Sequence, residues 1–248
     1  MFREKNIGAG KVFYSDLLPN LEHFFTTRET VLRSKEVGVD VDKNIKSVCE
    51  YLKISNDNLI SPNQTHSSNV EFVKVGMNDY PETDALILTN MEQAVYLNFA
   101  DCVPVILYDK NANIAAIAHA GWRGTVARIV PKTIEKMLLF SHSEIKDIYA
   151  VIGPAISDCC YEVGIEVVNG IKNSVKNSLD LITYKNEKPF VNLKKTNARQ
   201  LEEIGIPLDN IDICPYCTCC RNDLFFSYRK ENGTTSRHSA VIKLKWLE

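Results

Sequence analysis

Residues 100–124 read ADCVPVILYDKNANIAAIAHAGWRG, and this stretch decides the fold class. Val103 to Tyr108 is one apolar run, Asp109-Lys-Asn-Ala-Asn113 is turn chemistry, and Ile114 to His119 is a second run, apolar until its last residue. Runs that are apolar at every position, not every second one, predict strands buried on both faces. Two polar residues interrupt this pattern. Cys102 stands at the junction of two strands, and His119 ends a strand and leads at once into Gly121-Trp-Arg-Gly124, a loop that packing alone does not require.

Outward from this centre, Glu92 to Phe99 reads as a preceding strand. Beyond it the period changes: Val126, Ile129, Val130, Ile134, Met137 and Leu138 fall at helical spacing, with Thr125 as the expected N-cap. Pro131 either kinks this helix or marks its true start. Ile148 to Ile152 is a further strand, ended by Gly153-Pro154, and helical spacing returns at Val167 to Val175 and Leu193 to Ile204. Near the end, Phe225 to Lys230 and Ala240 to Trp246 flank Glu231-Asn-Gly233 and read as a hairpin, with Ile242, Leu244 and Trp246 alternating with lysines. Strands and helices therefore mix throughout, and the expected class is α/β in the mixed α+β sense. No linker or repeat divides the chain, so residues 1–248 read as a single domain.

The 248 residues are 45% hydrophobic and 24% charged, with a net charge of −2 and no basic run, which argues against nucleic acid as a partner. The longest apolar runs are far too short for a membrane span. The N-terminal MFREKNIGAGKVFYSDLL lacks the apolar block of an export signal, so a cytoplasmic protein is expected. In that setting the eight cysteines read as reduced thiols or metal ligands, not as a disulfide framework.

Five histidines are few enough to inspect singly. His66 lies in the polar turn Ser61-Pro-Asn-Gln-Thr-His-Ser67, before the strand-like Val70 to Val75. Together with Cys102 and His119 it offers a thiolate and two imidazoles, a good ligand set for zinc. Three protein ligands leave a fourth position open, as catalytic sites do. The plainer alternatives are a buried cysteine acting as a small hydrophobe and hydrogen-bonded histidines. Spacing does not choose between them.

Phe24-Phe-Thr-Thr-Arg28, Gln64-Thr-His66, Thr83-Asp-Ala-Leu86, Ala100-Asp-Cys-Val-Pro104, His119-Ala-Gly-Trp-Arg-Gly124, Ile152-Gly-Pro-Ala-Ile156, Cys160-Tyr-Glu-Val163 and Phe226-Ser-Tyr-Arg229 occur in an order that resembles the YfiH family. That family is also called the peptidoglycan editing factor PgeF or polyphenol oxidase laccase-domain family. The resemblance runs from about Phe24 nearly to the C-terminus. It implies a mixed fold of layered sheets flanked by helices, and zinc held by His66, Cys102 and His119. It also implies phosphorolysis of adenosine, inosine, guanosine and methylthioadenosine, deamination of adenosine, and in some bacterial members a role in peptidoglycan precursor editing. The substrates implied are purine nucleosides and inorganic phosphate. Three segments depart from the family pattern: Glu29-Thr-Val31 replaces His-Gly-Gly, Gln64-Thr-His-Ser67 replaces Gln-Val-His-Gly, and Thr235-Ser-Arg237 replaces Thr-Gly-Arg. They bear on substrate preference and anion binding and leave the triad intact.

Phosphorolysis needs cations for the oxyanion, and Arg28, Arg123 and Arg229 are the candidates, with structural ion pairs as their alternative. Asp101 is a candidate proton carrier or partner of a ligand, and Gln64 either binds the base or orients the His66 loop. The chain lacks the His-x-Glu with Pro-Cys-x-x-Cys of cytidine deaminases, since no proline precedes Cys214, so deamination would run on a different scaffold. Four rival readings remain, one of them a non-enzymatic role in binding a partner protein. Cys102 with His119 or His66 would serve a cysteine hydrolase without metal. Cys214-Pro-Tyr-Cys217 resembles a glutaredoxin motif, with Cys219 and Cys220 extending it toward a redox, interaction or accessory metal role, while Cys159-Cys160 and Cys49 read as packing residues. A copper oxidase is disfavoured by the absence of any His-x-His pair, leaving copper as an adventitious substitute at the triad.

Overall fold

The two apolar runs do form neighbouring strands, and each is buried along its whole length. In chain order the strands are β1 (Phe2–Asn6), β2 (Lys11–Ser15), β3 (Leu21–Thr26), β4 (Leu59–Ile60), β5 (Val70–Phe72), β6 (Ala85–Leu88), β7 (Ala94–Phe99), β8 (Val103–Asp109), β9 (Ile114–Ala120), β10 (Ile148–Ile152), β11 (Ile182–Lys185), β12 (Lys188–Val191), β13 (Ile211–Ile213) and β14 (His238–Leu244). The α-helices are α1 (Val41–Leu52), α2 (Trp122–Val126), α3 (Ile129–Ser141), α4 (Ile165–Ser174) and α5 (Leu193–Glu203). This computed structural model describes residues 1–246, so Leu247 and Glu248 lie outside it.

One six-stranded sheet has the order β1-β2-β3-β14-β7-β4, a second has the order β13-β10-β8-β9-β6-β5, and β11 pairs with β12 alone. The pleat explains why β8 and β9 carry no polar face. Val103, Val105 and Leu107, with Ala116 and Ala118 of β9, pack with Ile129, Ile134, Val168 and Leu201 of the helical layer. Their alternates Ile106, Tyr108, Ala115 and Ile117 pack with Val95, Leu97, Ala240 and Ile242 of the other sheet. On that sheet's far face Phe24, Ala94 and Val241 meet Val48, Cys49 and Leu52 of α1. The described residues thus stack as α1, sheet, sheet, and the layer of α3, α4 and α5. Each fully buried aliphatic side chain in this stack contributes about 1.5–3 kcal/mol.

Three local expectations are corrected. The Glu92 to Phe99 strand begins at Ala94, because Asn90 Oδ1 accepts the Glu92 and Gln93 N–H groups in a turn. Thr125 is not a helix cap: it lies inside α2 and donates its hydroxyl to Ala120 O, while Gly121 caps α2. The chain then breaks at Arg128, in left-handed geometry, and α3 starts at Ile129. Pro131 therefore falls in the first turn, where its missing N–H leaves no bond unmade.

The third correction is the hairpin. Phe225 to Lys230 forms no strand, and β14 instead lies antiparallel between β3 and β7, ending at Leu244 short of exposed Trp246. Two carboxylates account for the difference. Glu231 Oε1 accepts Ser227 N and Asn222 Nδ2, and Asp101 Oδ2 accepts Arg229 N, so side chains take up donors that a strand would pair.

Candidate active site

His119 continues the β9 positions that face the other sheet, with its ring 5.3 Å from Phe99 of β7. Cys102 sits on the turn that carries the chain from β7 into β8, and Pro104 pairs with His119 across β8 and β9. His66 reaches the same point from the loop before β5, where its backbone is left-handed at φ 61°. The ligand atoms of His66, Cys102 and His119 all lie within 4.8 Å of one another.

The buried carboxylate of Asp84, the residue before β6, assembles this group. It accepts the backbone N–H groups of Thr65, His66 and Ser67 and the Ser67 hydroxyl, which fixes the strained loop. It also meets His119 Nδ1 at 2.8 Å, leaving the Nε2 side of that ring for the triad. Burial pushes the Asp84 carboxyl up, but His119 and the Ser67 donors outweigh it and hold the pKa at about 2. Burial likewise opposes ionisation of Cys102, yet the His119 charge and the hydrogen bonds of His119 and His66 bring the thiol down to about 6. His119 moves the other way: burial lowers it, and Cys102 with Asp84 raises it to about 9. The thiol is therefore set as a thiolate at neutral pH, the form that binds a metal.

Gly121 is required by close approach. A Cβ there would lie 2.9 Å from Cys102 Sγ and 3.2 Å from His66 Cδ2. The donor set, one thiolate and two imidazoles around a cradle kept clear by glycine, fits a zinc ion with one position left open.

The triad lines a cavity of about 550 Å³ together with Gln64, Asn98, Asp101, Tyr161, Tyr228 and Arg229. Arg33, Lys35 and Arg237 also stand in its wall. Among the described residues none of Arg33, Lys35, Arg229 and Arg237 is paired with a carboxylate. Arg237 N also donates to Arg33 O, so the two cations are held side by side. The Arg237 guanidinium is shifted down by burial and by the charge of Arg33, against the opposing charges of Cys102, Tyr228 and Asp101, and its Nη1 donates to the carbonyls of Thr234 and Ser236.

The other expected residues take varied positions. Gln64 spends its amide on the backbone of Asn98, donating to Asn98 O and accepting Asn98 N at 2.9 Å each, which orients the loop. Asp101, left-handed at φ 85°, accepts the Thr218 hydroxyl and Arg229 N at 2.7 Å each. Both its oxygens thus hold the cavity wall. Arg229 lines the cavity while its guanidinium donates to Glu162 O at 3.0 Å and Cys160 O at 3.4 Å. Arg28 lies outside the lining, bound to Glu231 and to the carbonyls of Asn222 and Phe225, and exposed Arg123 stacks on Trp122. Charge alone had nominated both. Asp84, Arg33, Lys35 and Arg237 were not singled out, although Asp84 and Arg237 stand inside the segments that carry the family comparison. Cys214 is fully buried with its thiol pushed up to about 11 by burial, the opposite of a reactive redox cysteine.

A family model described as multi-copper polyphenol oxidoreductase laccase matches residues 22–245. The chain belongs to that family. Within the laccase family, it is 32% identical over 215 residues to the purine nucleoside phosphorylase YlmD of Geobacillus stearothermophilus, spanning 82% of this chain and 78% of that one. It is 35% identical over 190 residues to the adenosine deaminase RL5 of an unknown prokaryotic organism, 72% of each chain. The crystal structure of the Bacillus licheniformis hypothetical protein YfiH superposes with a TM-score of 0.87 at 30% identity, covering 94% of this chain and 96% of that one. The solved YfiH structure shares the layered mixed fold described above, and the two sequence relatives are named as enzymes of purine nucleosides. No helix among the described residues is long and apolar enough to cross a membrane.

Proposed function

We propose that this chain is a zinc-dependent purine nucleoside phosphorylase for adenosine, inosine, guanosine and methylthioadenosine that also deaminates adenosine. The observation that carries the reading is the meeting of a three-ligand metal set with unpaired cations in one cavity of about 550 Å³. Ligand cavities of roughly 300–1,000 Å³ suit small molecules, so a nucleoside with a phosphate is of the right size. The names of the relatives YlmD and RL5 point to the same substrate class.

His66, Cys102 and His119 would hold the zinc. When bound, it supplies a Lewis acid and an activated water near neutral pH. The chain's own residues do the positioning. Arg33, Lys35, Arg229 and Arg237 bind inorganic phosphate, the guanidinium groups doing so in a bidentate manner. A phosphate oxygen attacks C1′ of the ribose, the C1′–N9 bond breaks, and the purine leaves with the bonding pair and takes up a proton. Tyr161 and Tyr228 offer aromatic faces to the base, and burial keeps the Tyr161 hydroxyl protonated. Asp101 acts as a positioning residue through Arg229 and Thr218, and Gln64 through the His66 loop.

One observation favours a second reading. The ligand atoms of Cys102 and His119 lie within 4.8 Å of one another, and against burial each residue shifts the other toward its charged form, as a cysteine hydrolase would need. The two separate by product and by inhibitor. Purified protein given adenosine should form adenine and ribose 1-phosphate only when phosphate is present, and inosine with or without it. Both activities should vanish with a chelator and in Cys102→Ala or His119→Ala. Turnover that resists chelation and is lost to thiol alkylation would replace the zinc reading with the hydrolase.

A further inference from the structure

Two turns meet behind the wall that Asp101 holds. One follows β10 and carries Cys159 and Cys160. The other follows β13 and carries Cys217 and Cys220. Cys220 Sγ lies 3.5 Å from Cys159 Sγ and 3.4 Å from Cys160 Sγ. All four sulfurs lie within 4.8 Å of one another. A tetrahedral zinc with Zn–S bonds of about 2.3 Å separates its sulfurs by about 3.8 Å, so the four thiols already occupy a space of that size.

A backbone donor and several cations stand around the sulfurs. The Ser157 backbone N–H donates to Cys217 Sγ at 3.4 Å. Around the cluster stand cations without carboxylates. Lys194, 4% exposed, gives its ammonium to the carbonyls of Cys214 and Tyr216 at 2.7 and 3.0 Å, with no acid partner among the described residues. Lys185 binds the carbonyls of Asp158 and Cys159, and Arg229 that of Cys160. A buried ammonium needs a counter-charge. Four thiolates around a divalent ion carry a net negative charge and provide it.

We propose that Cys159, Cys160, Cys217 and Cys220 form a second metal site, a closed tetrathiolate that holds structural zinc. Four protein ligands leave no open position, so this site does no chemistry. Binding displaces the thiol protons to solvent and changes no oxidation state. Its effect is mechanical. The clamp ties the turn leading to Tyr161 to the turn carrying Thr218, which holds Asp101, and so braces the wall of the cavity.

The test uses the full chain with the first site removed, as the Cys102→Ala/His119→Ala variant, purified under reducing conditions without chelator. It is expected to retain about one zinc per chain, lost on adding Cys160→Ser and Cys220→Ser. Exchange of its zinc for cobalt(II) should give the intense thiolate-to-cobalt charge-transfer bands of a tetrahedral four-sulfur site. That spectrum decides the matter even if the serine variants fail to fold. Metal-free protein whose thiols all react with an alkylating agent, a disulfide seen by mass, or zinc retained by folded serine variants would each overturn the proposal. Because the triad is absent throughout, the outcome is independent of the nucleoside reading.

Discussion

Asp84 accepts hydrogen bonds from the backbone of Thr65, His66 and Ser67, from the Ser67 hydroxyl and from His119. Asp84→Asn keeps the size but puts an amide where donors converge. Zinc affinity is expected to fall about 10- to 100-fold, read by competition with a chelating dye. Gly121→Ala puts a methyl 2.9 Å from Cys102 Sγ and should weaken metal binding while leaving the unfolding midpoint nearly unchanged. At the cation wall, each lost charge-assisted hydrogen bond costs about 1.5–3 kcal/mol. Arg237→Met is therefore expected to raise the KM for phosphate by about tenfold or more and to spare deamination, whereas equal loss of both activities would place Arg237 elsewhere in the reaction. Asp101→Asn should lower kcat/KM through the wall without releasing metal, and full activity in that variant would remove it from the site. The sequence exposed the triad through its motifs. Arg28 and Arg123 fall outside the cavity lining, because charge without position does not say which carboxylate or ring a guanidinium will meet.

At the scale of elements, β8 and β9 were legible because both faces of each strand are buried, which leaves an unbroken apolar record. The supposed hairpin was not legible. Phe225 and Phe226 are apolar enough for a strand, but Glu231 and Asp101 capture the donors that pairing needs, and such distant capture leaves no local periodicity. Elsewhere on the same sheet, β3 carries His23, 3% exposed. Ser15 N donates to its Nε2 and its Nδ1 faces Leu21 O, so the neutral ring is fully used and a proton at Nε2 would confront a donor. Burial is the main cause that brings its pKa from 6.5 to about 4, against the Leu21 carbonyl and Glu22, with Lys5 and Lys245 adding to the fall. Since the folded value is depressed, this histidine's contribution is complete above about pH 6.5 and is lost as the pH falls toward 4. Unfolding free energy of the metal-free protein should fall by about 3 kcal/mol over that window from His23 alone. His238, fully buried and held near 3, adds to the same trend. Denaturant unfolding of His23→Gln should show a shallower slope, and an unchanged slope would mean that His23 is not the titrating group.

Over the whole molecule, the site stands at one end of the two stacked sheets, among the loops that leave their strands. β7 supplies Asn98, β9 supplies His119, and the antiparallel contact between Arg33 and Arg237 brings segments far apart in sequence to one wall. This explains why the layered class was readable and the cavity was not: layers follow from local apolar patterns, whereas the wall is assembled from long-range pairings. The most direct measurement strips metal from the purified chain, verifies that it stays folded, and titrates zinc back while following adenine and ribose 1-phosphate formed from adenosine and inorganic phosphate. Activity is expected to rise in proportion to zinc and to saturate when the triad is filled, with Cys102→Ala and His119→Ala silent at every zinc level. Full turnover by the metal-free protein would contradict the account and leave Cys102 and His119 as nucleophile and base.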